Sequence, residues 1–239
     1  MNIVIPMAGR GKRFAEVGYT TPKPLIDVRG RPMYAWAVDG LPLTLAGRLV
    51  FVCLEEHLAD GSLARDIEHR YAEYWPVIVP VREVTAGQAC TVLLARELIN
   101  NDQPLLIYNA DTYCPTTIGR MISDQGQCDG TLDVFSAPGD KWSFARIDEK
   151  GRVIETAEKK RISEWASTGL YWFRRGRDFV THAEAMIKAN DRVNNEFYVA
   201  PVYNRLIAAG MQVCANIVKE IWVLGTPEDL AQFERDYRG

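Results

Sequence analysis

Short apolar runs alternate along most of this chain with segments of helical periodicity. The strand-like runs fall at residues 3–6, 49–54, 76–81, 105–109, 132–136, 153–156, 169–173 and 212–218. Between them, apolar residues recur near helical spacing at 33–38, 63–74, 89–98, 179–188 and 199–208. Such alternation predicts an α/β fold, a Rossmann-like and mostly parallel mixed sheet with helices on its faces. The rhythm breaks after Asp111. From 130 to 173 strand-like runs follow one another across turn signals at Pro138-Gly139-Asp140 and Glu149-Lys150-Gly151, with no helix between them. That stretch predicts an antiparallel extension at one end of the sheet. With no linker, repeat or low-complexity tract in 1–239, the expectation is one domain.

The first strand leads into the stretch richest in candidate chemistry, Asn2-Ile3-Val4-Ile5-Pro6-Met7-Ala8-Gly9-Arg10-Gly11-Lys12-Arg13-Phe14, followed by Thr21-Pro22-Lys23-Pro24-Leu25. Two glycines in a turn let backbone N–H groups approach an anion, because no Cβ blocks the concave side. Arg13 can fork onto phosphate oxygens, and Lys23, on a segment stiffened by two prolines, offers a point charge. Ala8, Gly9, Arg10, Gly11 and Lys12 are the expected nucleotide-phosphate cradle, with Arg13 and Lys23 as catalytic charges. Two other phosphate motifs fail on spacing. A P-loop needs four residues before Gly-Lys-Ser/Thr, and a dinucleotide fingerprint needs a third glycine where Phe14 stands.

Two further stretches carry chemistry. In Gly87-Gln88-Ala89-Cys90-Thr91, Gln88 stands at a helix start, where its amide can read the edge of a base; Thr85 or Thr91 could serve instead. In Leu105-Leu106-Ile107-Tyr108-Asn109-Ala110-Asp111, an apolar strand ends at Asp111, on the edge where open α/β sheets bind ligands. A carboxylate there suits Mg²⁺, which binds through one or two carboxylates plus substrate phosphates. Asn109, at the same strand end, joins the expected nucleotide-binding set.

The loop and its Lys-Pro-Leu resemble the signature of the sugar-phosphate nucleotidyltransferase family, which has a GT-A-like fold. The blocks that follow keep the family's order: Ala157-Glu158-Lys159, Ser167-Thr168-Gly169-Leu170-Tyr171-Trp172-Phe173, Asn194-Asn195-Glu196-Phe197-Tyr198, and Trp222-Val223-Leu224-Gly225-Thr226-Pro227-Glu228-Asp229. The resemblance implies a nucleotide-binding half over 1–112 and an acceptor-binding half over 113–239. In the acceptor half, Lys159 would reach the acceptor phosphate, Gly169 would let the acceptor lie against the backbone, and Glu196 would bind a hydroxyl or amine. It also implies Mg²⁺ on Asp111. One departure stands out: many members carry a second metal-binding aspartate two residues before the final Gly-Thr, and Val223 takes that place here. Glu220, three residues earlier on an expected strand, points to the opposite face unless a bulge intervenes. Mg²⁺ is therefore expected mainly on Asp111 and the nucleotide phosphates.

Composition changes this picture little. Over 239 residues the net charge is -3, so no global basic field invites nucleic acid or an anionic membrane. No apolar run approaches a membrane span, and the first residues lack the pattern of a signal peptide. Five scattered cysteines and three histidines predict neither a zinc site nor a disulfide framework, and hence a reduced, cytoplasmic protein. A homo-oligomer is compatible with the sequence. The implied reaction transfers NMP from an NTP (CTP, UTP or dTTP) to a phosphorylated small molecule, a sugar 1-phosphate by family likeness, with release of pyrophosphate. Related readings are a cytidylyltransferase acting on a non-sugar phosphate for capsule or lipopolysaccharide decoration, a glycosyltransferase, and a non-catalytic nucleotide-binding module. The glycosyltransferase lacks support because Asp111-Thr112-Tyr113 has no second Asp.

Overall fold

The computed structural model describes residues 1–124 and 128–238. Its main sheet contains β1 (Asn2–Met7), β2 (Arg48–Leu54), β3 (Val77–Val81), β4 (Leu105–Tyr108), β5 (Gly130–Ser136), β6 (Ser143–Ile147), β7 (Val153–Glu158), β8 (Trp165–Phe173) and β9 (Val213–Ile217). The path runs β7-β6-β8-β4-β1-β2-β3, with β5 also paired to β8 and β9 to β5. Pairings of β1 with β2 and β4, and of β2 with β3, are parallel; those of β8 with β4, β5 and β6, and of β6 with β7, are antiparallel. This is the expected mixed sheet with its antiparallel extension. The pattern reading missed β6, whose Ser-Phe-Ala-Arg-Ile alternates too weakly to stand out.

Apart from Asn2 and Arg48 at their starts, the central strands β1, β2 and β4 are apolar throughout, because both faces are covered. In β1 the alternation sends Val4 to one core, with Val50, Val52 and Ile107, and Ile3, Ile5 and Met7 to the other, with Phe51, Tyr34 and Tyr108. Helices α1 (Lys12–Glu16), α2 (Met33–Asp39), α3 (Ser62–Arg70), α4 (Gln88–Leu93), α5 (Gly176–Lys188), α6 (Val202–Ala208) and α7 (Pro227–Asp236) surround the sheet. The run at 63–74 is helical only to Arg70, then turns through Ala72–Tyr74, and the run at 89–98 divides into two short helices. Helix α7 starts on a capped turn: the Asp229 N–H donates to Thr226 Oγ1 at 3.1 Å, and Pro227 fills a position that needs no donor.

One expectation is corrected here. Cys128 and Cys214 form a disulfide with their Cα atoms 6.1 Å apart, while Cys53, Cys90 and Cys114 are free. The pairing spans 86 residues of sequence and arises because β9 lies parallel to β5, bringing Cys214 beside Thr131. Nothing in the cysteine spacing signals it.

A buried carboxylate makes stability depend on pH. Asp133 is fully buried in β5, accepting hydrogen bonds from the Thr116 hydroxyl and from Asn216 Nδ2 at 2.8 Å. Burial pushes its pKa up from 3.8 to about 7, against the opposing pull of those two bonds. The unfolded chain releases this proton near the ordinary carboxylate pKa and the folded chain near 7, so the folded state binds more protons between those limits. The contribution is thus full below the unfolded pKa and lost as pH rises through the folded one. At roughly 1.4 kcal/mol per unit it is on the order of 4 kcal/mol. Urea unfolding of Asp133→Asn should show a flatter stability profile across that window than wild type. Parallel profiles would place the pH dependence elsewhere.

Candidate active site

The C-terminal ends of β1 and β4 open into a cleft of about 880 Å³, roofed on the far side by β6, β7 and β8. Gly9, Gly11, Lys12, Arg13, Lys23, Gln88, Asn109 and Asp111 line it from one half of the chain, and Lys159, Gly169 and Glu196 from the other. Most residues singled out by sequence therefore meet in one place, although their positions span nearly two hundred residues.

Two of them do not. Ala8 is buried in the core and Arg10 is exposed, its Nε donating to Glu56 Oε1 at 3.0 Å; neither side chain lines the cleft. An arginine at the end of a loop turns toward whichever carboxylate lies nearest, and here that is Glu56, just beyond β2. Among the three candidate base readers only Gln88 faces the cleft, because the Thr85 and Thr91 hydroxyls bond each other at 2.6 Å across the helix start.

Lys23 occupies the centre. Its ammonium donates to Asp111 Oδ2 at 2.5 Å and to the Gly225 carbonyl at 3.3 Å, and lies 5.6 Å from the centre of the Phe14 ring. Side-chain exposures of 19% for Lys23 and 30% for Asp111 leave the pair half-buried, so water screens it only partly. Gly11 makes this possible. With φ at 63° it adopts the left-handed conformation, and a Cβ there would stand 2.8 Å from the Lys23 Cβ. The missing side chain at Gly11 thus makes room for the lysine stem. Gly9 has nothing within 4 Å of its absent Cβ and leaves the loop open toward the cleft.

Gly169 makes a close approach of its own. It sits with φ at 88° where the β8–β5 register shifts between Ser167 and Tyr171, and a Cβ would fall 1.9 Å from Asn109 Nδ2. The Asn109 amide packs where that side chain would be, and the glycine still lines the cleft. Asn109 Oδ1 in turn accepts from Gln88 Nε2 at 2.6 Å. The base-side glutamine is thereby steadied by the strand end that carries Asp111.

The two walls of the cleft are joined through backbone. Phe197 N donates to the Ala86 carbonyl at 2.8 Å and Ala89 N to the Phe197 carbonyl at 2.9 Å, which ties the segment bearing Glu196 to the start of α4. Lys159 follows β7 with φ at 51° and donates from Nζ to the Tyr198 hydroxyl at 2.7 Å; that bond is the main reason its pKa is raised. Glu196 is exposed on the cleft wall.

Sequence reasoning missed three residues here. Glu158 is buried beside Lys159, accepts from the Ser143 hydroxyl, and has its pKa raised chiefly by burial. Trp142 and Tyr171 complete the wall. Glu158 was visible in the Glu-Lys block and Tyr171 in the Gly169 block, but Ser143 begins the strand that the pattern did not reveal and Trp142 immediately precedes it. Glu220, by contrast, turns away: it lies before the short strand Trp222–Val223, accepts from Trp222 Nε1 at 2.7 Å and does not line the cleft. Among the described residues no three His, Cys, Asp or Glu side chains converge.

A basic, glycine-containing loop and a strand-end carboxylate at one sheet edge, facing a second wall of polar and aromatic groups, define a nucleotide-binding α/β protein with room for a second ligand. The nucleotidyl transferase family model matches residues 3–238, so the chain belongs to that family of enzymes. Among curated proteins it resembles the bifunctional protein GlmU of Cupriavidus taiwanensis, 28% identical over 255 residues, and that of Cupriavidus necator, 29% identical. All of this chain is covered, but only 52% of each relative, so it spans about half the length of the curated relatives it matches. A solved nucleoside-diphosphate-sugar pyrophosphorylase from Vibrio cholerae RC9 superposes with a TM-score of 0.86 at 29% identity, covering 98% of this chain and 100% of that one. The inositol-1-phosphate CTP transferase from T. maritima shares the fold, with a TM-score of 0.76 at 15% identity over 100% of this chain and 97% of that one.

Proposed function

We propose that this chain transfers NMP from an NTP to a phosphorylated small molecule, with a sugar 1-phosphate as the acceptor class that the relatives favour. The observation that carries this reading is the Lys23–Asp111 pair at the centre of a cleft whose walls bear the loop Gly9–Arg13 on one side and Glu158, Lys159 and Glu196 on the other. An acceptor phosphate oxygen attacks the α-phosphorus in line, forming one P–O bond as the α–β phosphoanhydride breaks, and pyrophosphate leaves. Arg13 and the backbone around Gly9 neutralise the leaving group. Lys23 neutralises the α-phosphate, and Lys159 brings the acceptor phosphate up to it. No covalent enzyme intermediate is required.

The cleft suits a divalent cation. Lys23 shows that the oxygens of Asp111 and Gly225 hold positive charge, and hard oxygen donors fit Mg²⁺. When bound on Asp111, Mg²⁺ would polarise the phosphate oxygens. A second reading, a non-sugar acceptor carrying a cationic group, is favoured by the concentration of Asp140, Glu158 and Glu196 with the rings of Trp142 and Tyr198 at the acceptor wall.

Pyrophosphate release, measured for each NTP against a panel of phosphorylated acceptors, tests the proposal. Release with one pair supports it, and release of a nucleoside diphosphate from a sugar nucleotide would point to glycosyl transfer. No release with any pair would leave a binding module. Gln88→Ala should flatten the ratio of kcat/KM values among NTPs more than it slows the preferred one, because an amide that reads the base edge discriminates by hydrogen bonding. An unchanged ratio would remove Gln88 from base recognition.

A further inference from the structure

Val223 stands where the family resemblance expects a carboxylate, and the structure brings a different carboxylate to the same point. A Cβ on Gly225 would have three neighbours at once: Asp111 Oδ2 at 3.4 Å, Val223 Cγ1 at 3.6 Å and Asp229 Oδ2 at 3.8 Å. The Val223 methyl and two carboxylates therefore surround one small space at the edge of the cleft. The backbone holds this arrangement from both sides. Trp222 and Val223 pair with Thr112 and Tyr113, and Leu224 N donates to the Asp111 carbonyl at 2.8 Å.

Asp229 enters from the first turn of α7. Its backbone N–H does the capping work at Thr226, while among the described residues its carboxylate takes part in no hydrogen bond or ion pair. A carboxylate committed to neither the helix cap nor a salt bridge, and facing the cleft beside Asp111, is free to take a ligand. The second observation is that a cation already lies at this place: the Lys23 ammonium, held by Asp111 Oδ2 and the Gly225 carbonyl. The ammonium pairs with Asp111 alone, so the two carboxylates around this space carry one negative charge more than Lys23 supplies, which favours a divalent ion.

We propose that Asp229 is the second carboxylate of the cation site, reaching from α7 into the space that Val223 leaves uncharged, and that Lys23 keeps the place of the cation until one binds. The inference rests on the nucleotidyl-transfer reading. With a divalent ion held by Asp111 and Asp229, Lys23 would no longer be tied to Asp111 and its charge would be available to the phosphates.

Mn²⁺, an oxygen-seeking ion whose free form is counted by electron paramagnetic resonance, tests this on the full chain without nucleotide, titrated into the millimolar range. Outer partners of metal ligands already carry 10–100-fold of affinity, so Asp111→Asn and Asp229→Asn should each weaken Mn²⁺ binding by roughly tenfold or more. Lys23→Met should tighten it by removing the competing ammonium. Val223→Asp placed on the Asp229→Asn background should restore binding, because it returns a carboxylate to the same space without touching α7.

Wild-type affinity in Asp229→Asn would overturn the proposal, as would undetectable Mn²⁺ binding by the wild type. A loss in Asp229→Asn that Val223→Asp fails to restore would assign Asp229 to the helix start and overturn it too. Pyrophosphate release by the wild type, assayed in parallel, reports on the reaction separately: release with Mn²⁺ affinity insensitive to Asp229 would sink this inference and spare the function.

Discussion

Lys23→Ala should lower turnover by roughly 10²–10³-fold while leaving the fold intact. The lysine stem packs against Gly11 and its ammonium lies at the junction of the loop, the β4 end and Gly225, the place where the proposed function puts the α-phosphate of a nucleotide. Charge compensation of this kind is worth more in the transition state than in the bound substrate, so the loss should fall on kcat more than on KM. The side chain contributes little to the core, and circular dichroism of the variant should match wild type. Arg13→Ala should act in the same direction. Arg13 is exposed on α1 at the cleft wall and sees solvent as well as the pyrophosphate, which makes its loss the smaller of the two. A folded Lys23→Ala with wild-type turnover would detach the Gly9–Arg13 loop from the chemistry.

Asp111→Asn should abolish Mg²⁺-dependent turnover, a loss on the order of 10³-fold or more. A cation that polarises phosphate oxygens supplies several kcal/mol, and each 1.4 kcal/mol is about tenfold in rate. The substitution keeps the shape at the end of β4 and the backbone bond from Leu224, so a structural explanation for the loss is weak. It also deprives Lys23 of its partner. If the only consequence were a misplaced lysine, residual activity would still respond to Mg²⁺ but would no longer depend on Lys23, whereas loss of the cation alone would leave a Lys23-dependent activity blind to Mg²⁺. Measuring Mg²⁺ dependence in Asp111→Asn and in Asp111→Asn with Lys23→Ala separates the two contributions. Full Mg²⁺-dependent turnover in Asp111→Asn would move the cation elsewhere in the cleft.

Much of this was legible without coordinates. Gly9, Gly11, Lys23 and Asp111 follow from local rules: a turn after an apolar strand, cations next to it, and a carboxylate at the end of another strand. These elements are short and strongly patterned, and the parallel order of β1, β2 and β4 places their C-terminal ends on one edge whatever the loops do. Residues whose roles depend on distant partners were harder to read. The Arg10 side chain pairs with Glu56, and Gly169 packs against the Asn109 amide, contacts between residues dozens of positions apart. The Cys128–Cys214 pairing, β6 with Trp142 and Ser143, and the buried Asp133 depend on strand neighbours that no local window contains.

The sequence alone thus determined the α/β class, the basic glycine-containing loop and the strand-end carboxylate, because backbone freedom at glycine, charge and hydrophobic alternation act within a few residues of one another. Only the tertiary structure decided which of those groups touch. A 2.5 Å contact between residues 23 and 111, or the convergence of Asp111, Val223 and Asp229 on Gly225, depends on strand order and helix docking. Those are set by the packing of two cores against opposite faces of one sheet, a long-range balance of buried area that does not show in the residues it brings together.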